Sequence, residues 1–228
     1  MPGLFFSMGP WACLFIKRIT ENIVMNVKVK ICGITTPEQA EQAQRAGADA
    51  IGVVLYESSV RQVGFQLAKD IISTVDSGVC SIALVVNAST SRIYKIIEHL
   101  KPTFLQFHGD ESPEFCNQFN YPFIRAIRMR ADLDISSAIK NYEAKGGFLF
   151  DSWDDKLYGG TGIRFDWSRL PKQRNFPLIL AGGLTCENVK DAIQTVHPYM
   201  VDISGGVESS PGIKDPYLVK LFIQNVKG

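Results

Sequence analysis

From Val27 to Thr35 the chain reads VKVKICGIT, alternating apolar and polar positions with the two-residue period of a strand. The alternation breaks at Gly33, and Thr36-Pro37-Glu38 opens a helical run over Pro37 to Ala46 that stops at Gly47, a residue suited to the left-handed end of a helix. The same couplet then recurs. Ala50 to Tyr56 predicts a strand and Phe65 to Val75 an amphipathic helix. Val79 to Val86 precedes a helix over Ser89 to Leu100 with a serine available as its cap, and Thr103 to Phe107 precedes Ser112 to Phe119 with Pro113 in the first turn. Phe123 to Ile127 is paired with Leu133 to Tyr142. Gly147 to Asp151 is followed by a glycine-rich stretch and a short helix near Asp166 to Leu170. Leu178 to Ala181 leads to Cys186 to Thr195, and Tyr199 to Ser204 leads to Pro216 to Val226.

The strand runs are apolar enough to be buried on both faces, as parallel strands covered by helices must be. Eight strand-helix units within 228 residues approach the ~250 residues of a typical closed barrel. The expected fold is therefore α/β, a single-domain (β/α)8 TIM barrel over residues 25–228, in preference to an open doubly wound sheet. Residues 1–24 differ in character. Their apolar run Trp11 to Ile16 is too short to span a bilayer, and Lys17-Arg18 follows it where a signal peptide carries its charge first. This segment is expected to be a disordered extension or the result of a misplaced start upstream of Met25.

Composition narrows the function classes. Lys and Arg number 24 against 23 Asp and Glu, so no net field draws the protein to nucleic acid or to an anionic membrane. The five cysteines are odd in number and never form a C-x-x-C pair, and the three histidines lack metal-ligand spacing. Neither a disulfide framework nor a metal is expected, and a reducing cytoplasm is the expected compartment.

In a barrel of this kind, catalytic groups gather at the carboxyl ends of the strands. Cys32 ends the first strand. To act as a base it must be a thiolate, although a free thiol has a pKa near ~8.5. Lys30, two positions earlier, shares its face, and Asp202 shares a face with Ser204 on strand eight, the neighbour of strand one in a closed ring. Lys30 is expected to pair with Asp202 inside the barrel and to favour the Cys32 thiolate. Asp151 ends strand six, either as a cap or arginine partner or as a general acid. Gln106 and His108 share a face at the end of strand four and are read as substrate contacts or as structural groups. Arg61 is a solvated charge or an anchor for a carboxylate, which a guanidinium grips with two prongs. Three glycine segments, Gly159-Gly160-Thr161-Gly162, Gly182-Gly183 and Ser204-Gly205-Gly206, follow strands six, seven and eight, where backbone N–H groups can approach a phosphate.

Taken together, KICGIT (Lys30 to Thr35), LQFHGDE (Leu105 to Glu111), FLFDS with GGTGIRFDW (within Phe148 to Trp167), LAGGLTCENV (Leu180 to Val189) and VDISGGVESSPGIKD (Val201 to Asp215) resemble the phosphoribosylanthranilate isomerases of tryptophan biosynthesis. The resemblance runs from about Val27 to the C-terminus with the motifs in the family's order. It implies a barrel fold and an Amadori rearrangement of a phosphorylated small molecule, with Cys32 as general base and Asp151 as general acid. It also implies that Arg61 stands near the anthranilate carboxylate and that the glycine loops grip phosphate. No cofactor is implied, because the ring-opened iminium is its own electron sink. Relatives in this family occur as monomers and as homodimers.

Two departures stand out. The family often reads Ser-Pro-Arg or Ser-Lys-Arg where this chain has Ser59-Val60-Arg61, and Gly205 replaces the second serine of V-D-x-S-S-G-V-E, which removes a hydroxyl from the expected phosphate region. Two other readings compete: a histidine-pathway or dual-substrate sugar-phosphate isomerase, and a non-catalytic phosphate-ligand-binding barrel. Cys32 argues against the first, and the presence of both Cys32 and Asp151 against the second.

Overall fold

A computed structural model describes residues 26–152 and 165–228. The N-terminal extension, as well as Gly159 and Gly160 of the first glycine segment, lies outside the described residues. Eight parallel strands close in chain order into a barrel. They are β1 (Lys28–Cys32), β2 (Ala50–Val54), β3 (Cys80–Val85), β4 (Phe104–Phe107), β5 (Phe123–Met129), β6 (Gly147–Ser152), β7 (Leu178–Leu180) and β8 (Met200–Ile203). The ring is sealed where β8 pairs with β1, Asp202 lying in register with Lys30.

Among the described residues seven α-helices cover the strands: α1 (Pro37–Arg45), α2 (Phe65–Ser73), α3 (Thr90–His99), α4 (Pro113–Asn117), α5 (Ile135–Ile139), α6 (Val189–Val196) and α7 (Pro216–Lys227). Among the described residues between β6 and β7, a 3-10 turn spans Trp167–Arg169. Side-chain caps start the helices where hydroxyl and acidic residues allow. Thr36 accepts from the Gln39 N–H, Ser89 from Arg92, Ser112 from Phe115, and Asp215 from Tyr217 and Leu218. Each such cap typically contributes about 1 kcal/mol.

Strand parity divides the core. Val29, Ile31, Val53, Phe107, Phe150, Leu180 and Val201 point outward and pack under the helices. Ala50, Ile82, Ile124, Leu149, Ile179 and Met200 point inward and fill the barrel. Above that inner layer Cys32, Val54, Leu84 and Val86 form a separate small cluster. Burying each large aliphatic side chain is worth about 1.5–3 kcal/mol, so the inner plug is a rigid floor on which polar groups of the same faces can stand.

The structure departs from the periodicity in three places. Helices α4 and α5 are five residues each and shorter than expected. In α5 no residue is fully buried, Lys140 is already extended and Asn141 has φ +68°, so little packing opposes unwinding. Helix α6 begins at Val189 rather than Cys186, because the Thr185 hydroxyl accepts from the N–H groups of Glu187 and Asn188 and holds those residues in a turn. A small antiparallel hairpin, β9 (Glu208–Ser210) with β10 (Ile213–Lys214), stands between β8 and α7, its strands too short to show a period in the sequence.

Candidate active site

At the carboxyl ends of the strands a cavity of about 300 Å³ opens, and Cys32, Arg61, Gln106, His108 and Asp151 all line it. So do Gly182, Gly183, Ser204, Gly205 and Gly206. Every candidate site residue that falls among the described residues is thus brought to one mouth, of a size suited to a small ligand.

The floor of the mouth is organised by Lys30, which is completely buried. Its Nζ donates to Asp202 Oδ2 at 2.9 Å and to Gln106 Oε1 at 2.8 Å. The pairing with Asp202 is the one expected from strand parity. Burial alone would lower the Lys30 pKa, but the charges of Asp202 and Cys32 outweigh it and hold the ammonium above its ordinary value. Gly52 on β2 makes the crowding possible: a Cβ there would lie 2.9 Å from Cys32 Sγ and 3.1 Å from Lys30 Cε.

The Cys32 thiol does not follow Lys30 outright. Burial pushes its pKa up, Lys30 pulls it down, Asp202 pushes it up again, Lys214 pulls it down, and the net direction is upward. Lys30 acts in the expected sense, favouring thiolate, yet desolvation wins because the sulfur is buried beside Val54 and Leu84.

Gln106 and His108 sit on β4 and just beyond it, both buried. The Gln106 amide is engaged by protein at both ends, its Nε2 lying 2.9 Å from His108 Nδ1. The other ring nitrogen, Nε2, stands 3.3 Å from Asp151 Oδ2 but off the line of a hydrogen bond. Asp151 Oδ1 accepts from the Ser152 N–H at 2.8 Å. His108 Nε2 and Asp202 Oδ1 are therefore buried polar atoms at the mouth with no hydrogen-bond partner among the described residues. Such atoms are costly unless something polar meets them.

Arg61 is no solvated charge. Its Nε and Nη2 donate to Glu208 Oε1 and Oε2, each at 2.8 Å, so the two-pronged grip foreseen for a ligand carboxylate is taken by Glu208. A guanidinium has five N–H donors, and Glu208 takes two of those of Arg61 at the wall of the cavity. Lys214 joins the same carboxylate at 2.6 Å and also donates to the Ser204 carbonyl and hydroxyl. Bonding to Glu208 holds the Arg61 pKa up. Burial pushes Glu208 up, but Arg61 and Lys214 outweigh it and keep the carboxyl low. Burial draws Lys214 down.

Glu208 and Lys214 escaped the sequence reading. The available signal was Pro211-Gly212, a turn dipeptide between two short polar runs, which puts these residues across a hairpin from one another.

The glycine loops are shaped for close approach. Gly182 has φ +80°, and a Cβ on it would fall 2.5 Å from the Ser152 nitrogen and 3.0 Å from Asp151 Oδ1. The Asn188 amide donates to the Gly183 carbonyl and its oxygen accepts from the Thr185 N–H, pinning the loop after β7.

A closed parallel barrel whose strand ends bring a thiol, a carboxylate and glycine loops to one polar mouth has the architecture of a (β/α)8-barrel enzyme. Comparison with known proteins narrows this. Residues 29–225 match the family model of N-(5'-phosphoribosyl)anthranilate (PRA) isomerase. The chain is 47% identical over 201 residues to the N-(5'-phosphoribosyl)anthranilate isomerase of Stutzerimonas stutzeri, covering 88% of this chain and 97% of that one. The crystal structure of phosphoribosyl anthranilate isomerase from Thermotoga maritima superposes with a TM-score of 0.81 at 36% identity, over 89% of this chain and 99% of that chain. A phosphoribosyl anthranilate isomerase solved in complex with reduced 1-(o-carboxyphenylamino)-1-deoxyribulose 5-phosphate gives 0.78 at 35% identity, with the same coverage of each chain. The chain belongs to the N-(5'-phosphoribosyl)anthranilate isomerase family.

Proposed function

We propose that the mouth of this barrel isomerises N-(5'-phosphoribosyl)anthranilate, with Asp151 as general acid and Cys32 as general base. The observation that carries the assignment is that these two groups, on β6 and β1, open onto one cavity with the β7 and β8 glycine loops between them. Asp151 gives its proton to the furanose ring oxygen, the C1'–O bond breaks, and the nitrogen lone pair closes an iminium. Cys32, as thiolate, takes the proton from C2'. The C–H electrons form C1'=C2', and the C=N pair returns to nitrogen. The resulting enolamine loses its O2' proton and gains one at C1', giving the ketone. Atoms balance with no external redox partner.

The loops at Gly182-Gly183 and Ser204-Gly205-Gly206 are the proposed phosphate grip, and Gly159-Gly160 is assigned to it by the sequence resemblance. Arg61, tethered by Glu208, offers its remaining donors to the anthranilate carboxylate. Asp202 Oδ1 is an unspent acceptor within the same cavity, placed to receive a sugar hydroxyl.

The test is the fall of anthranilate-type fluorescence on adding freshly made substrate. Wild type is expected to convert it, and Cys32→Ala and Asp151→Asn to lose about 10²–10⁴ in turnover each. Full turnover in either variant would remove that residue from the mechanism.

A further inference from the structure

We infer that Gln106 is a positioning residue: oriented by Lys30, it fixes His108 in the tautomer that carries its proton on Nε2, facing Asp151. The chain of reasoning has one direction at every link. An ammonium only donates, so the Gln106 atom 2.8 Å from Lys30 Nζ is the amide oxygen. The amide NH2 is thereby turned toward His108 Nδ1 at 2.9 Å. An amide nitrogen also only donates, so Nδ1 accepts and bears no proton. A neutral imidazole then carries its proton on Nε2. That atom is buried, lines the mouth, and stands 3.3 Å from Asp151 Oδ2. Lys30 cannot turn away to release the amide, because it is itself tied to Asp202 and fully buried.

The inference rests on Asp151 as the general acid and says what the tautomer does for it. An Nε2–H cannot accept a hydrogen bond, so His108 does not divert the proton of Asp151 from the substrate oxygen. Once that proton has left, Asp151 Oδ1 is already satisfied by the Ser152 N–H. The Nε2–H, 3.3 Å from the other carboxylate oxygen, then sets the positive end of an N–H dipole rather than a lone pair beside the new charge. The opposite tautomer would set a nitrogen lone pair against a carboxylate lone pair. One lysine thus serves both ends of the reaction, acting on Cys32 by its charge and on Asp151 through Gln106 and His108.

The experiment is 15N NMR of the full chain labelled at histidine, with the His108 signals assigned by their loss in His108→Asn. Wild type is expected to show a protonated Nε2 and a bare Nδ1. In Gln106→Glu the side chain at 106 offers only acceptors, so Nδ1 is expected to take up a proton. Turnover should fall about tenfold or more, while KM stays near the wild-type value. Rescue is expected to be absent in Gln106→Leu, which removes the constraint and leaves both tautomers populated. A proton on Nδ1 in wild type, or an unchanged His108 spectrum in Gln106→Glu, overturns the inference. Intact turnover in Asp151→Asn would instead overturn the acid assignment, and with it the role of the tautomer, while the spectrum alone would still decide what Gln106 does to His108.

Discussion

Lys30 and Asp202 are neighbours twice over: they are register partners on β1 and β8, and their side chains meet inside the barrel with Nζ 2.9 Å from Oδ2. The pair closes the ring chemically at the seam where the sheet closes it mechanically. Removing the acid leaves an ammonium buried without its main counter-charge, so Asp202→Leu is expected to cost about 3–5 kcal/mol. Adding Lys30→Met to it should recover a large part of that loss, since neither charge then remains. Lys30 is held above its ordinary pKa, so its contribution is complete at neutral pH and is lost only as pH rises through the raised value in strongly alkaline solution. Urea midpoints of the two single variants and the double variant test this. Equal stability of Asp202→Leu and wild type would mean the pair carries no weight.

The thiol of Cys32 is pushed up by burial and drawn down by both Lys30 and Lys214. Neutralising either lysine removes a downward pull and leaves the desolvation in place. Lys30→Met and Lys214→Met are therefore each expected to raise the thiol pKa further and to slow alkylation of Cys32 at a fixed neutral pH. Because the base must be thiolate, turnover should climb with pH on the alkaline side, and this limb should shift upward in both variants. Thiolate absorbance read as a difference from Cys32→Ser provides the titration. A Cys32 pKa unmoved by either change would show that the lysines act only as scaffolding.

What the sequence discloses and what it hides follow from the range of the physics involved. Parity along one strand is local, so Lys30 with Cys32, and Asp202 with Ser204, could be assigned a shared face from spacing alone, and a closed ring then brings Lys30 to Asp202. The partner of Arg61 is Glu208, 147 positions away, on a hairpin whose strands are only three and two residues long. No periodicity announces so short an element. Gln106 shows the same limit: its face was legible, but its engagement by Lys30 on one side and His108 on the other depends on side-chain reach across the barrel. The net rise of the Cys32 pKa was also hidden, since a sequence lists nearby charges more readily than the loss of water around a sulfur.

Arg61 and Glu208 yield a prediction about binding rather than chemistry. The carboxylate of Glu208 fixes the guanidinium plane through two bonds, and a lysine in place of Arg61 has no fork to hold. Charge-assisted hydrogen bonds are worth about 1.5–3 kcal/mol each, so Arg61→Lys should raise KM roughly tenfold or more with a much smaller change in kcat. Glu208→Gln should move KM in the same direction by a lesser amount, as the arginine keeps its charge and loses its alignment. Steady-state kinetics separate the two parameters. An unchanged KM in Arg61→Lys would exclude this residue as the carboxylate anchor.

Gly205 and Gly206 adjoin in sequence but face different neighbours, and this separates a tolerated substitution from a damaging one. A Cβ on Gly205 would come within 3.2 Å of Arg61 Nη2, a side-chain end that must shift by a few tenths of an ångström against its bond to Glu208. A Cβ on Gly206 would fall 2.2 Å from the Leu184 carbonyl oxygen, part of the backbone that follows β7, which cannot yield without moving the loop. Gly205→Ser should therefore fold like wild type and shift KM modestly, through Arg61 and through the hydroxyl it restores beside the proposed phosphate grip, with kcat preserved. Gly206→Ala should displace the β7 loop at Leu184 and lower kcat as well as affinity for inorganic phosphate as an inhibitor. Thermal denaturation, steady-state kinetics and phosphate inhibition on the two variants provide the comparison. If Gly205→Ser lost kcat while Gly206→Ala kept it, the steric roles given to these two positions would be reversed.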